Sequence, residues 1–318
     1  MDWATQVVNI LQATTVLLLA PLVAGIAYRA KAWTESRTGP SILQPYYDLA
    51  KYLRKETLLP EGASRVFVVA PFVAFGAYLL ISVAVPVITP YPIPFAPTVD
   101  FLGGGLLFGL AGTVTLLAAI DSGSNYAALG ASRTVSFAAF AEPTLIIVFF
   151  AVAVITGTNN PYVTNNLLSS SVAAYLSPTH LLVTAAFFLL ILAETGKLPV
   201  ESPGLMEFGM LEDGRQFEHS GRLLGVLRWN GWLKQFLLYS VFLNVFLLPW
   251  GMFATPTILG AVGNIGILLA KLLLLVGVIT LVEATVAKVR LFKIRDFLVL
   301  SFSLAVLSVF VFAALGVP

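Results

Sequence analysis

The stretch Glu194–Gly221, ETGKLPVESPGLMEFGMLEDGRQFEHSG, decides how the chain is read. It follows a run from Leu181 to Ala193 that sits in hydrocarbon without difficulty, yet within 25 residues it places Glu194, Glu201, Glu207, Glu212, Asp213 and Glu218, six of the sixteen acids in the chain. Carboxylates at the end of an apolar helix are costly in a membrane unless they line a wet cavity or share protons. A solvated loop accounts for Glu212 and Asp213 but not for Glu194, which belongs to the apolar segment. Pro199 and Pro203 interrupt the helix just after it, and broken backbone at membrane depth is tolerated only beside protein or water.

Composition fixes the class around that stretch. Of 318 residues, 58% are hydrophobic and 11% charged, with a mean hydropathy of +0.91; soluble domains carry about 25% charged residues. The fold class expected is all-α: one polytopic membrane bundle, residues 1–318, with a cytoplasmic amphipathic helix and long cytoplasmic loops. The chain has no cysteine and only His180 and His219 as histidines. That excludes disulfides, thiolate zinc sites, iron–sulfur ligation and a histidine-rich metal site on this chain.

Apolar segments long enough for a ~30 Å hydrocarbon core predict about eight spans, near 7–28, 67–89, 100–120, 134–157, 174–195, 232–254, 259–281 and 297–316. Seventeen of the eighteen Lys and Arg fall on, or within three residues of, the odd-numbered loops near 29–66, 121–133, 196–231 and 282–296, and the even loops and termini carry none. Positive charge collects on the cytoplasmic side, so the expected location is the inner, cytoplasmic membrane with both termini outside. The exception is Lys271, in mid-span. The amino-terminal end reads as a span and not as a signal peptide, because no basic region precedes its apolar run.

Within the first loop, Gln44, Asp48, Lys51 and Lys55 recur at helical spacing opposite Leu43, Tyr46, Tyr47, Ala50 and Leu53. This predicts an amphipathic helix, with Pro45 in its first turn, lying on the membrane interface or packed against another subunit. The glycines Gly103, Gly104, Gly105 and Gly109 read as close helix packing, since no phosphate-loop lysine follows. Glu142 precedes a predicted kink at Pro143, and Glu283 lies near the cytoplasmic end of the seventh span. Glu142, Glu194, Lys271 and Glu283 are therefore the ionisable groups expected inside the bundle. They read either as ion pairs that fix the helices, such as Lys271 with a glutamate, or as a coupled proton path. The absence of an inverted repeat argues against a stand-alone ion-coupled secondary transporter.

Three motifs carry a family resemblance: RTGPSILQPYYDLAKYLRKETLLP at 37–60, SGSNYAALGASR leading to Glu142, and the opening stretch from ETGKLPVESPG to EHSG. With these the chain resembles the membrane component that joins the redox arm to the membrane arm of respiratory complex I (subunit 1 in mitochondria, with its bacterial counterpart). It is more similar still to the equivalent subunit of group 4 NiFe hydrogenases and formate hydrogenlyases. Lys197, Val200 and Glu201 stand where complex I reads Arg, Phe and Asp, which favours the hydrogenase type over a quinone-site subunit of an NADH dehydrogenase. The resemblance implies a non-catalytic coupling subunit of a redox-driven proton- or sodium-translocating oxidoreductase. It implies an acidic path through Glu142, Glu194, Glu201, Glu207, Asp213, Glu218 and Glu283, with Lys271 beside it. Docking of the peripheral arm would use Arg37, Asp48, Lys51, Lys55 and Arg133. The partners implied are hydrogenase-like or complex I-like large and small subunits, antiporter-like membrane subunits and lipid, and no nucleic acid. Iron–sulfur clusters and a Ni–Fe centre would sit in those partners and no cofactor on this chain, while the departures weigh against a bound quinone.

Overall fold

A computed structural model describes residues 3–90, 100–200, 214–253, 257–287 and 291–315. Among them every regular element is a helix: α1 (Trp3–Thr34), α2 (Gln44–Arg54), α3 (Arg65–Ala84), α4 (Phe101–Asp121), α5 (Asn125–Thr156), α6 (Pro161–Ser170), α7 (Val172–Tyr175), α8 (Pro178–Glu194), α9 (Gly221–Val241), α10 (Ile258–Thr285) and α11 (Leu291–Leu315). A π-helical turn, Phe242–Leu247, prolongs α9.

Six helices among the described residues are long and apolar enough to cross a membrane: α1, α3, α4, α5, α10 and α11. The two remaining predicted spans correspond to α8 and α9. The first has only 17 residues, and the second carries Arg222, Arg228, Asn230 and Lys234. The apolar segments thus locate the helices, but polar residues extend several of them beyond the predicted limits. Arg29 and Lys31 lie within α1, Arg133 within α5, and Arg222, Arg228 and Lys234 within α9. The stretch expected as a loop near 121–133 is mostly the first turns of α5, leaving only residues 122–124 as a connection.

α9 holds the centre. It packs against α1, α2 and α3; α1 packs against α10, and α3 leads through α4 to α5, which meets α8 and α11. Local chemistry explains several of these seams. Pro21, inside α1, has no N–H to give the Leu17 carbonyl, and the Trp229 indole on α9 donates to that oxygen at 3.3 Å. Asp121, ending α4, accepts from the Ser64 and Phe67 amides at 2.8 and 3.2 Å. It thereby satisfies orphan donors at the start of α3. Gly105 packs closely as expected, with Phe149 3.4 Å from the place a Cβ would take, whereas Gly104 faces open space.

The expected amphipathic helix is α2, with Pro45 in its first turn. The residues of α2 turned inward are Pro45 and Leu49, both buried, with Tyr52 against Gly225 of α9. Tyr46 donates from its hydroxyl to the Leu18 carbonyl of α1. Leu43, Tyr47 and Leu53, on the face expected at the membrane interface or against another subunit, are 47, 61 and 42% exposed and so remain open to either. The buried spacing of four and three follows α9 rather than the hydrophobic residues alone.

At the end of the bundle opposite α2, irregular backbone after α3 is held by amide side chains. Gln12 donates to the Ser82 and Val85 carbonyls at 2.8 and 2.9 Å. Asn244, in the π-helical turn, donates to those of Pro86 and Val87 at 2.9 and 3.0 Å, and Asn264 to Ile88 at 2.8 Å. These bonds supply what lipid cannot.

Candidate functional site

α8 ends at Glu194, as its sequence predicts, and Gly196 takes a positive φ of 60° to turn the chain away. That places the Glu194 carboxylate in a cavity of about 100 Å³ among α4, α5, α8, α9 and α11. Glu142, Arg215 and Lys234 line the same cavity. The Lys234 ammonium lies 2.5 Å from Glu194, the two side chains being 19 and 15% exposed. Glu142 faces the like charge of Glu194 and the opposite charge of Lys234. Gly109 and Gly112 of α4 make room for it, since a Cβ on either would come within 3.6 Å of its carboxylate. Arg215 reaches Thr115 of α4 at 3.4 Å. Two carboxylates and two cations thus share one small enclosure, where a charge change on one must alter the others.

Glu283 occupies a second enclosure. Its side chain is 5% exposed and lies 3.2 Å from the Lys31 ammonium of α1. The Leu198 amide, four residues after Glu194, points at the same carboxylate oxygen from 3.5 Å.

Lys271 belongs to neither. The expected pairing with a glutamate is replaced by neutral oxygens: the Leu248 carbonyl at 2.7 Å and Asn244 Oδ1 at 3.3 Å. The reason is its height on α10, level with the π-helical turn, whose altered register exposes carbonyls at the end of α9. Glu218 is half-buried before α9 and does not line the cavity. Glu201, Glu207 and Asp213 lie outside the described residues, as does Pro203.

On the side of α2, Asp48 accepts from Lys51 at 2.9 Å and from Gln44 at 3.1 Å, which holds the Lys51 ammonium in its charged form. Lys55 is exposed and closes the helix through its backbone N–H. Arg37 is exposed and 3.6 Å from the less exposed Glu35, and Arg133 is half-buried on α5. Among the described residues no cluster of acids and histidines could hold a metal ion.

Lys234, Arg215 and Lys31 are the site residues that the charge census conceals, because it counts them as loop charges. Lys234 carried a signal of its own: it falls two residues inside the predicted span 232–254, as anomalous there as Lys271 in the next.

The NADH dehydrogenase family model matches residues 7–314. Formate hydrogenlyase subunit 4 of Escherichia coli (strain K12) is 33% identical over 89% of this chain and 90% of its own length. Hydrogenase-4 component C of the same organism is 30% identical over 93 and 92%. The fold is similar to a chain of the membrane-bound sulfane sulfur reductase, an archaeal respiratory membrane complex. That match has a TM-score of 0.82 and 21% identity, and covers 96% of this chain and 99% of the other. With a family model spanning nearly its whole length and relatives alike from end to end, the chain belongs to the NADH dehydrogenase family.

Proposed function

We propose that this chain is the membrane coupling subunit of a redox-driven, ion-translocating respiratory complex, of the group 4 hydrogenase and formate hydrogenlyase type. The observation that carries this reading is the enclosure where Glu142, Glu194, Lys234 and Arg215 meet. Buried charge of this density is expensive in a membrane and marks ion or proton pathways far more often than scaffolding. By the family resemblance Glu201, Glu207, Asp213 and Glu218 belong to the same acidic path; Glu283 lies in a neighbouring enclosure, and Lys271 serves the opposite half of the bundle. The relatives named as subunits of formate hydrogenlyase and hydrogenase-4 support an assembly of this kind.

In this reading α8 and α9 also cross the membrane, for eight crossings in all, with both termini outside. A peripheral large and small subunit, carrying iron–sulfur clusters and a Ni–Fe centre, docks on the cytoplasmic face through Arg37, Asp48, Lys51, Lys55 and Arg133. Antiporter-like subunits pack laterally in the inner membrane. Because the chain has no cysteine, a single Cys at Asn166 or at Ser36 reports the topology. The first should react with an impermeant thiol reagent from outside and the second should not.

The function is tested in vesicles holding the whole complex, with an ion- or potential-sensitive dye and redox turnover followed together. Glu194→Gln keeps volume and hydrogen bonding but fixes the charge at zero, so ion movement per turnover should fall steeply while the complex stays assembled. Full pumping in the assembled variant removes Glu194 from the path. A protein that purifies alone and transports without partners overturns the reading in favour of a secondary transporter.

A further inference from the structure

The turn that follows α8 spends its amides on α8 itself until Leu198. The Thr195 N–H bonds the Ile191 carbonyl at 3.0 Å, that of Gly196 the Ala193 carbonyl at 3.2 Å, and that of Lys197 reaches back to Leu192 at 2.9 Å. With Gly196 left-handed, the last two bonds form the paired ending that closes many helices. Leu198 comes next, and Pro199 after it has no N–H to contribute. A bare amide at membrane depth is expensive. The Leu198 N–H finds its acceptor on another helix, at Glu283 Oε1 of α10, 3.5 Å away.

The same oxygen accepts from the Lys31 ammonium of α1 at 3.2 Å. A cation from α1 thus matches the charge of Glu283, while its oxygen holds the backbone that leads out of α8. Both bonds need an acceptor oxygen, but only Lys31 needs the charge. Four residues before Leu198, in the last turn of α8, Glu194 presents its carboxylate to Lys234. Holding Leu198 fixes the direction in which the chain leaves α8, and with it the helix end that carries Glu194 into the cavity. A displacement of about 1 Å can cost a reacting group roughly 100-fold in rate.

We propose that Glu283 is a positioning residue for Glu194: it holds the turn after α8 through the Leu198 amide and carries none of the moving protons. This sets Glu283 apart from the acidic path that the family resemblance implies. The proposal rests on the ion-path reading for the role of Glu194 but has its own observable in the Leu198 amide. A carboxylate that took up a proton in each turnover would lose the charge that Lys31 needs and loosen the turn each time. Anchored between α1 and α10, Glu283 keeps the turn in one place.

The experiment uses the whole complex in lipid vesicles. It follows ions moved per redox turnover, and hydrogen–deuterium exchange in peptides covering residues 195–200. Glu283→Gln removes the charge but keeps an acceptor oxygen, whereas Glu283→Leu removes both. Glu283→Gln should keep most of the pumping and the slow exchange at Leu198. Glu283→Leu should lower pumping several-fold and speed that exchange at least tenfold. Because Glu283→Leu also takes this carboxylate from Lys31, it is repeated together with Lys31→Met. Pumping that stays low in the double variant supports the lost hold; recovery assigns the loss to the broken ion pair and overturns the proposal. Should Glu283→Gln fail to assemble, Glu283→Gln with Lys31→Met keeps the acceptor without the cation and takes its place. Pumping in Glu283→Gln as poor as in Glu283→Leu, with slow exchange retained, makes Glu283 an ion carrier and overturns the proposal. Unchanged exchange in Glu283→Leu overturns it as well. If Glu194→Gln pumps normally while Leu198 exchange still follows the side chain at position 283, the ion-path reading fails and the hold on the turn stands.

Discussion

Gly130 of α5 and Gly214, just ahead of α9, meet backbone to backbone. A Cβ on Gly130 would lie 2.6 Å from the Gly214 carbonyl carbon and 2.8 Å from the Arg215 amide nitrogen. This contact fixes where Arg215 enters the cavity. Gly130→Ala must push the two segments apart, at a cost of about 1–3 kcal/mol for overpacking, and should lower both the thermal midpoint and ion pumping. Gly104→Ala, also helical but with nothing within 4 Å of the new methyl, should leave both intact.

The Glu194–Lys234 pair predicts unequal consequences for its two halves. Glu194→Gln leaves Lys234 with Glu142 as counter-charge across the cavity. Lys234→Met instead leaves two carboxylates facing each other, with Arg215 the remaining cation among the described residues that line the cavity. Breaking a buried pair costs about 3 kcal/mol when a charge is left uncompensated, so Lys234→Met should lower the unfolding midpoint more than Glu194→Gln. Combining Lys234→Met with Glu194→Leu should restore most of the loss. Equal effects of the two single variants contradict this account.

His219 predicts an acid sensitivity. Its ring stacks on Phe67 at 4.1 Å, and neither nitrogen has a hydrogen-bond partner among the described residues. Burial, aided by the Arg215 charge, pushes its pKa down from 6.5 to about 4. Between those values the unfolded chain binds the proton and the folded chain does not. Stability therefore falls as pH drops from about 6.5 toward 4, by up to roughly 3 kcal/mol, and is flat below. His219→Phe keeps the stack and should remove this share of the acid sensitivity in thermal melts across that range.

Asp48 and Lys51 predict a surface phenotype. Exchanging them, Asp48→Lys with Lys51→Asp, preserves their mutual pair and hence α2, but inverts the pattern that a partner meets. Peripheral subunits should be released from the membrane fraction, as read by immunoblot, while this chain stays membrane-bound. Retention of a fully active complex marks the stripe as a solvated face. The pair itself is exposed to solvent and adds little to the stability of α2.

Much of the bundle was legible because a membrane span needs only length and apolarity, and both are local properties. The position of Glu194 was legible for the same reason: a carboxylate beside two prolines at the end of an apolar run has few alternatives. Partners were not legible. Lys31 looks like an ordinary loop cation and Lys234 like one at a loop's edge until α1 and α9 are seen to carry them into the bundle, and Lys271 finds carbonyls rather than a carboxylate because a π-helical turn lies beside it. The inward side of α2, where Leu49 and Tyr52 meet Gly225 and Tyr46 meets Leu18, was not legible either, a choice made by α9 and α1 and not by α2.

The amides that hold the irregular backbone opposite α2 have a consequence for biogenesis. Carbonyls of Ser82, Val85, Pro86, Val87 and Ile88 are satisfied by Gln12, Asn244 and Asn264, which emerge from the ribosome long before or long after them. Until α9 and α10 have been inserted, the segment after α3 carries several of these oxygens bare, and lipid offers them no donor. A truncated or stalled chain therefore exposes a polar lesion in the bilayer, one that a membrane quality-control protease can recognise and a completed chain conceals.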